Sequence, residues 1–341
     1  MQRAPLRARI LASLLALAFL SAAACGRSSR QTAAVITADG SSTVFPITEA
    51  VAEEFQRANA GMRVTVGVSG TGGGFQKFCR GETDISNASR VIRPVEIEAC
   101  RAAGIEFIEL PVAYDGITIV VHPENTWVQS ITVDELRRLW EPAAQQKITR
   151  WNQIRPEWPD REIHLFGAGV DSGTFDYFTE AIVGKEDASR GDYTSSEDDN
   201  VLVQGVAGDP LALGFFGFAY YEENRDKLRA VPIDDGNESN GAGAIAPSVE
   251  SIRDGTYRPL SRPVFIYASV KSLARPEVKA FLDFYVSEAP ELVREVGYVP
   301  LTPKEYELVA SRVQRRVTGS AFDGKGAPAG TSLEAVLSGN P

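Results

Sequence analysis

The stretch "IHLFGAGVDSGTFDYF", Ile163 to Phe178, opens as a β-type run, passes through a loop of small and hydroxyl residues, and continues with helical spacing. Phe175, Phe178 and Ile182 fall on one face of the predicted helix, and Gly184 marks its end. Two other stretches repeat the design. "AVITADGSSTVFP" (Ala34–Pro46) places Pro46 in the first turn of a helix whose apolar positions Ile47, Ala50, Val51, Phe55 and Ala58 recur every three or four residues. "VTVGVSGTGGGFQKF" (Val64–Phe78) leads into Phe75, Phe78 and Cys79. Strand, small-residue loop and helix in alternation predict an α/β chain. A helix N-terminus leaves backbone N–H groups unpaired and carries partial positive charge, so it attracts anions. Glycine admits a ligand close to the backbone, and serine and threonine add hydroxyl donors. In open α/β sheets such loops gather at the carboxyl ends of the strands, so three of them together predict an anion site.

The first twenty-four residues are excluded from this reading. Arg3, Arg7 and Arg9 precede an apolar run from Ile10 to Leu20, and "SAAAC" ends at Cys25. That is the pattern of a secretory leader cleaved before a lipidated cysteine, with Ala22 standing where leucine is favoured. The run is shorter than the roughly 20 residues of a membrane span. "GRSSRQTAA" then reads as a tether over 25–34, holding the body to the outer face of a membrane. The full chain of 341 residues has a net charge of −10, and removing three leader arginines deepens this to −13. Such acidity argues against a nucleic-acid partner. The remaining 317 residues are enough for two domains.

Cys79 and Cys100 are left as an even pair in an exported, oxidising setting, which predicts a disulfide between them. "ITVDELRRLW" begins with a capping box, Thr132 with Glu135, and predicts a helix burying Leu136, Leu139 and Trp140. "SRGDYTSSEDDN" (Ser189–Asn200) reads as an acidic loop. Val278, Phe281, Leu282 and Tyr285 mark a late helix, and "GKGAPAGTSLEAVL" a loop and a short closing helix.

Several chemistries fail on their own requirements. Ser172 in "VDSGT" lacks a G-x-S-x-G elbow, and His122 and His164, the only histidines, are poorly placed to serve as its base. "GAGVDSG" puts the third glycine one residue late for a dinucleotide fingerprint, and no Gly-Lys pair is followed by serine or threonine. Two histidines and no CxxC leave no metal site, and no cofactor is implied.

"DGSSTVFPI", "GVSGTGGGFQKFCRGETDISNASR", "YDGITIVVHP", "ITVDELRRLW" with "ITRWNQI", "DSGTFDYF" and "GYVPL", in that order over nearly all of the mature chain, resemble the PstS family of periplasmic phosphate-binding proteins of ABC transporters. The resemblance implies a two-lobed Venus-flytrap fold, each lobe a β-sheet flanked by helices, with two hinge crossings. These are expected near Tyr114 to Gly116 and Arg262 to Tyr267, giving lobe 1 as 35–114 plus 265–341 and lobe 2 as 115–264. It implies a non-enzymatic monomer that binds inorganic phosphate with high affinity and delivers it to ABC permease membrane subunits. The implied contacts are Ser42, Thr43 and the Val44 N–H; Ser69, Gly70 and Thr71; and Ser172, Gly173 and Thr174.

Two positions depart from the best-known members. Ser89 stands where they carry an aspartate that accepts the proton of hydrogen phosphate, and Ala168 where they carry an arginine. Arg90 is the expected replacement cation, and Asp171 and Asp39 are the candidate acceptors. The alternatives are another tetrahedral oxyanion such as sulfate or molybdate, a phosphate sensor, or an exported phosphate-ester hydrolase.

Overall fold

The computed structural model describes residues 34–170, 172–196, 198–322 and 332–339. The leader, Cys25, the tether up to residue 33, Asp171 and the "GKGAPAG" loop lie outside the described residues. Three strand–helix units open the body. They are β1 (Ala34–Gly40) and α1 (Phe45–Ala58), β2 (Met62–Val68) and α2 (Gly70–Cys79), then β3 (Ile85–Ala88) and α3 (Pro94–Ala102). The long strand β4 (Phe107–Val121) follows, buried at every position.

Beyond it come β5 (Ile131–Thr132) and α4 (Val133–Trp140), β6 (His164–Ala168) and α5 (Gly173–Phe178), and β7 (Thr194–Ser196) and α6 (Asp199–Ala207). Next are β8 (Ala212–Gly217), α7 (Phe218–Glu223), β9 (Arg229–Ala230), β10 (Ile233–Asp234) and α8 (Val249–Arg253). The chain returns along β11 (Ser261–Ser269) and closes with α9 (Pro276–Glu295), β12 (Val299–Pro300), α10 (Pro303–Arg315) and α11 (Leu333–Ser338).

The main sheet runs β2-β1-β3-β11-β4-β8-β6-β7. β1 and β3 are parallel, as are β6, β7 and β8, so within each half the chain leaves these strands from carboxyl ends on one side. β4 joins the halves: it pairs with β11 as far as Gly116 and with β8 from Ile117 onward. Pro111 cannot donate to a ladder, and the register with β11 shifts at Val264/Phe265, opposite this part of β4.

Each half buries its own aromatic packing. α1 lies on α9 through Phe55 against Phe281 and Phe284, and the Thr48 and Tyr285 hydroxyls share a buried hydrogen bond. On the other side Phe178 stacks on Phe215 while Trp140 meets both edge-on. Leu136, Leu139 and Trp140 are buried under the expected capping box. Cys79 and Cys100 form the expected disulfide, tying α2 to α3.

The segment 189–200 is more ordered than its composition suggests. Arg190, 3% exposed, donates to the Leu139 and Ile148 carbonyls and pairs with Asp192. Thr194–Ser196 adds the edge strand β7, and Asp198 caps α6. Polar composition concealed these elements because their partners lie elsewhere in the chain. Among the described residues no helix is long and apolar enough to cross a membrane.

Candidate functional site

The first loop, the second loop and Asp176 and Tyr177 of α5 converge on a small cavity, while Ser172, Gly173 and Thr174, expected as contacts, lie outside its lining. It is lined by Ser41, Ser42, Thr43, Gly70, Thr71, Ser89, Asp176, Tyr177, Glu180, Glu186 and Arg262. Its volume of about 10 Å³ is the room of roughly one water. Side chains bridge the approach. The Ser42 hydroxyl donates to Asp176 Oδ2 at 2.6 Å, and the Thr43 hydroxyl to the Gly173 carbonyl at 3.3 Å. The loops must part to admit a tetrahedral anion.

Local chemistry explains how the loops are held. Ser172 caps α5 by accepting from the Thr174 N–H, and Gly173 touches the first loop so closely that a Cβ would lie 2.5 Å from the Thr43 nitrogen. Only glycine allows that approach without a shift. Thr71 and Ser89 share a hydroxyl hydrogen bond of 3.0 Å, and Thr71 also accepts from the Ser89 N–H. Tyr298 donates to the Thr43 carbonyl at 2.6 Å and steadies the first loop from behind. A wider cleft of about 600 Å³ adjoins the cavity, and Ser42, Ser172, Gly173 and Thr174 line it.

The cation of the cavity is Arg262, on the returning strand β11 directly opposite Asp115 of β4. Its guanidinium lies 3.4 Å over the Tyr177 ring and donates to the Thr43 hydroxyl at 3.3 Å. Asp115 and Glu180 stand 3.6 and 3.7 Å away, too far for full hydrogen bonds, and the buried Arg262 Nε has no acceptor. A guanidinium with donors to spare, held by aromatic stacking, suits recognition of an oxyanion. Burial holds the Asp115 carboxyl above its ordinary range, with Arg262 opposing the shift. Burial also raises Asp176, offset by the Ser42 hydrogen bond and reinforced by Asp187.

The structure places the sequence-derived candidates unequally. Ser42, Thr43, Gly70, Thr71 and Ser89 line the cavity, while Val44 is buried as the N-cap residue of α1. The Ser69 side chain turns away and donates to Asp39. Asp39, expected as an acceptor, instead receives Lys77 Nζ at 2.7 Å and lies outside the cavity. Arg90, expected as the clamp, makes a two-pronged pair with Glu96 at 2.9 and 2.8 Å and lies over Phe75. A carboxylate six residues away, in the first turn of α3, takes up its fork. Asp171 lies outside the described residues.

Sequence reasoning missed Arg262 and Asp176. Asp176 had a local signal, since it stands four residues after the cap Ser172 and therefore over the same turn. Arg262 had only its position at the head of an apolar strand.

The PBP superfamily domain matches residues 26–289. The chain belongs to this superfamily. It is 52% identical to the protein SphX of Synechococcus elongatus, over 89% of this chain and 88% of that one. It is 36% identical to the phosphate-binding protein PstS of Staphylococcus saprophyticus, over 82% and 84% of the two chains. Its structure resembles the crystal structure of a possible phosphate-binding protein from Planctomyces limnophilus, with TM-score 0.79 and 45% identity, covering 84% of this chain and 99% of that one. The chain is thus a homologue of the PstS proteins with the two-lobed PBP fold, and β4 and β11 run through the junction of its two sheet halves.

Proposed function

We propose that this PstS homologue is an exported, lipid-anchored, monomeric solute-binding protein that encloses inorganic phosphate between two lobes and delivers it to ABC permease subunits. The carrying observation is the convergence of two hydroxyl-bearing loops, Asp176 of α5 and the underbonded Arg262 on one cavity. In this reading lobe 1 comprises 35–114 plus 265–341 and lobe 2 comprises 115–264. The transfer of β4 from β11 to β8 at Gly116/Ile117 supports that division. Export and the lipid anchor rest on the leader pattern ending at Cys25.

Ser42, Thr43, Thr71 and Ser89 donate to the anion, the Ser172–Thr174 turn approaches it from the adjoining cleft when the lobes close, and Arg262 supplies the charge that Arg90 does not. Asp176 takes the acceptor role for the phosphate proton. Phosphate keeps a proton at neutral pH and sulfate does not, so an acceptor in the cavity favours phosphate and repels sulfate. No bond is made or broken: neither histidine lines the cavity, and His164 pairs with Asp209 elsewhere.

Calorimetry with phosphate, sulfate and molybdate tests the reading, with turnover of a chromogenic phosphate ester as the control for hydrolysis. Phosphate should bind and sulfate should not, and Asp176→Asn should narrow that gap by about tenfold or more. Equal binding of sulfate, or ester turnover, would sink the proposal.

A further inference from the structure

The cavity has two chemically different walls. One is made of donors: the Ser42, Thr43, Thr71 and Ser89 hydroxyls, the backbone at Gly70, and the Arg262 guanidinium. The other is made of carboxylates from a single stretch of chain. Asp176 stands on α5, Glu180 on the following turn and Glu186 just past Gly184, the last two at the solvent-facing rim.

Among the described residues the lining carries three acids and one cation. The charge of Arg262 is already divided between Asp115 at 3.6 Å and Glu180 at 3.7 Å, and Asp187 adds negative potential beside Asp176. Tyr177, the remaining titratable lining group, is held neutral by burial. The first and second loops contribute no charge to the lining. An anion without protons would meet lone pairs on one side of this space. An anion with hydroxyl groups would satisfy both walls.

We propose that the site takes phosphate as its doubly protonated monoanion, the two P–OH groups donating to the carboxylate wall and the two bare oxygens accepting from the hydroxyls and Arg262. This rests on the phosphate reading above and adds the ionic form of the ligand. The balance is simple: where the dianion predominates in solution, one proton from the buffer joins a phosphate oxygen on binding, and no bond to phosphorus changes. Burial and mutual repulsion among Asp176, Glu180, Glu186 and Asp187 already hold Asp176 and Glu186 above the ordinary carboxylate range, which agrees with a wall that tolerates little further negative charge. The complex then holds one more proton than its separated partners, so affinity must fall as pH rises above the second ionisation of phosphate.

Calorimetry with inorganic phosphate, in paired buffers of different ionisation enthalpy at about pH 6 and about pH 8.5, counts the protons directly. The expected uptake is near zero at the lower pH and about one proton at the higher, with affinity for total phosphate falling about tenfold per unit of pH between the ionisation and the higher pH. Tight binding at the higher pH with no proton uptake overturns the inference and leaves the phosphate reading standing. Absence of phosphate binding at both values overturns the two together. Glu186→Gln, at the exposed rim, should strengthen binding at about pH 8.5 by about threefold or more and lower the proton uptake. An unchanged pH profile in that variant would remove the carboxylate wall as the cause.

Discussion

Arg90 and Arg262 show how little an arginine's place in the sequence says about its work. Arg90 follows directly on a cavity-lining serine, yet its fork is taken by Glu96. Arg262 lies 219 residues from Thr43 and still reaches it. The difference is one of unspent donors: Arg90 has a carboxylate at hydrogen-bonding distance, whereas the carboxylates beside Arg262 lie beyond it and its buried Nε has no acceptor. Calorimetry should therefore separate them. Arg262→Lys should weaken phosphate binding by about tenfold or more, because an ammonium can neither stack on Tyr177 nor present a fork. Arg90→Lys should leave affinity alone and cost about 0.5–1 kcal/mol of stability in denaturant unfolding, through the half-buried pair with Glu96. The reverse outcome would return Arg90 to the site.

At the level of elements, two constraints set the position of the loop–helix units. The disulfide joins Cys79 at the end of α2 to Cys100 in α3 across 21 residues of sequence. Replacing both cysteines with serine should lower the unfolding free energy by about 3 kcal/mol, read from urea titration. Phosphate affinity should change much less, because neither sulfur lines the cavity. Gly173 sets the approach of α5 to the first loop. Gly173→Ala puts a methyl group 2.5 Å from the Thr43 nitrogen, so the α5 N-terminus must withdraw. Affinity should fall by about tenfold or more while thermal stability without phosphate changes little, since the clash is relieved by parting the loops. A variant that binds as tightly as the parent would show that the contact is not kept when the anion is held.

At the level of the whole molecule, the lining residues come from both sides of the β4–β11 junction, so phosphate should stabilise the body as one unit. At a hundredfold excess over its dissociation constant the gain should be about 2.7 kcal/mol, visible as a single raised thermal transition that sulfate does not reproduce. A transition that phosphate leaves in place would contradict enclosure. The sequence by itself determined the α/β class, the three strand–loop–helix units, the pairing of Cys79 with Cys100 and the helix of the Thr132 capping box. Each is written in local periodicity, in capping residues or in a count of cysteines, and none needs a distant partner to be recognised. Only the tertiary structure decided which charges line the cavity. Asp176 meets Ser42 across 134 residues and Arg262 meets Thr43 across 219, and the order in 189–200 depends on the carbonyls of Leu139 and Ile148. A charged side chain has no period. Its role follows from which partners burial brings within hydrogen-bonding distance, and that is settled only when the strands have paired.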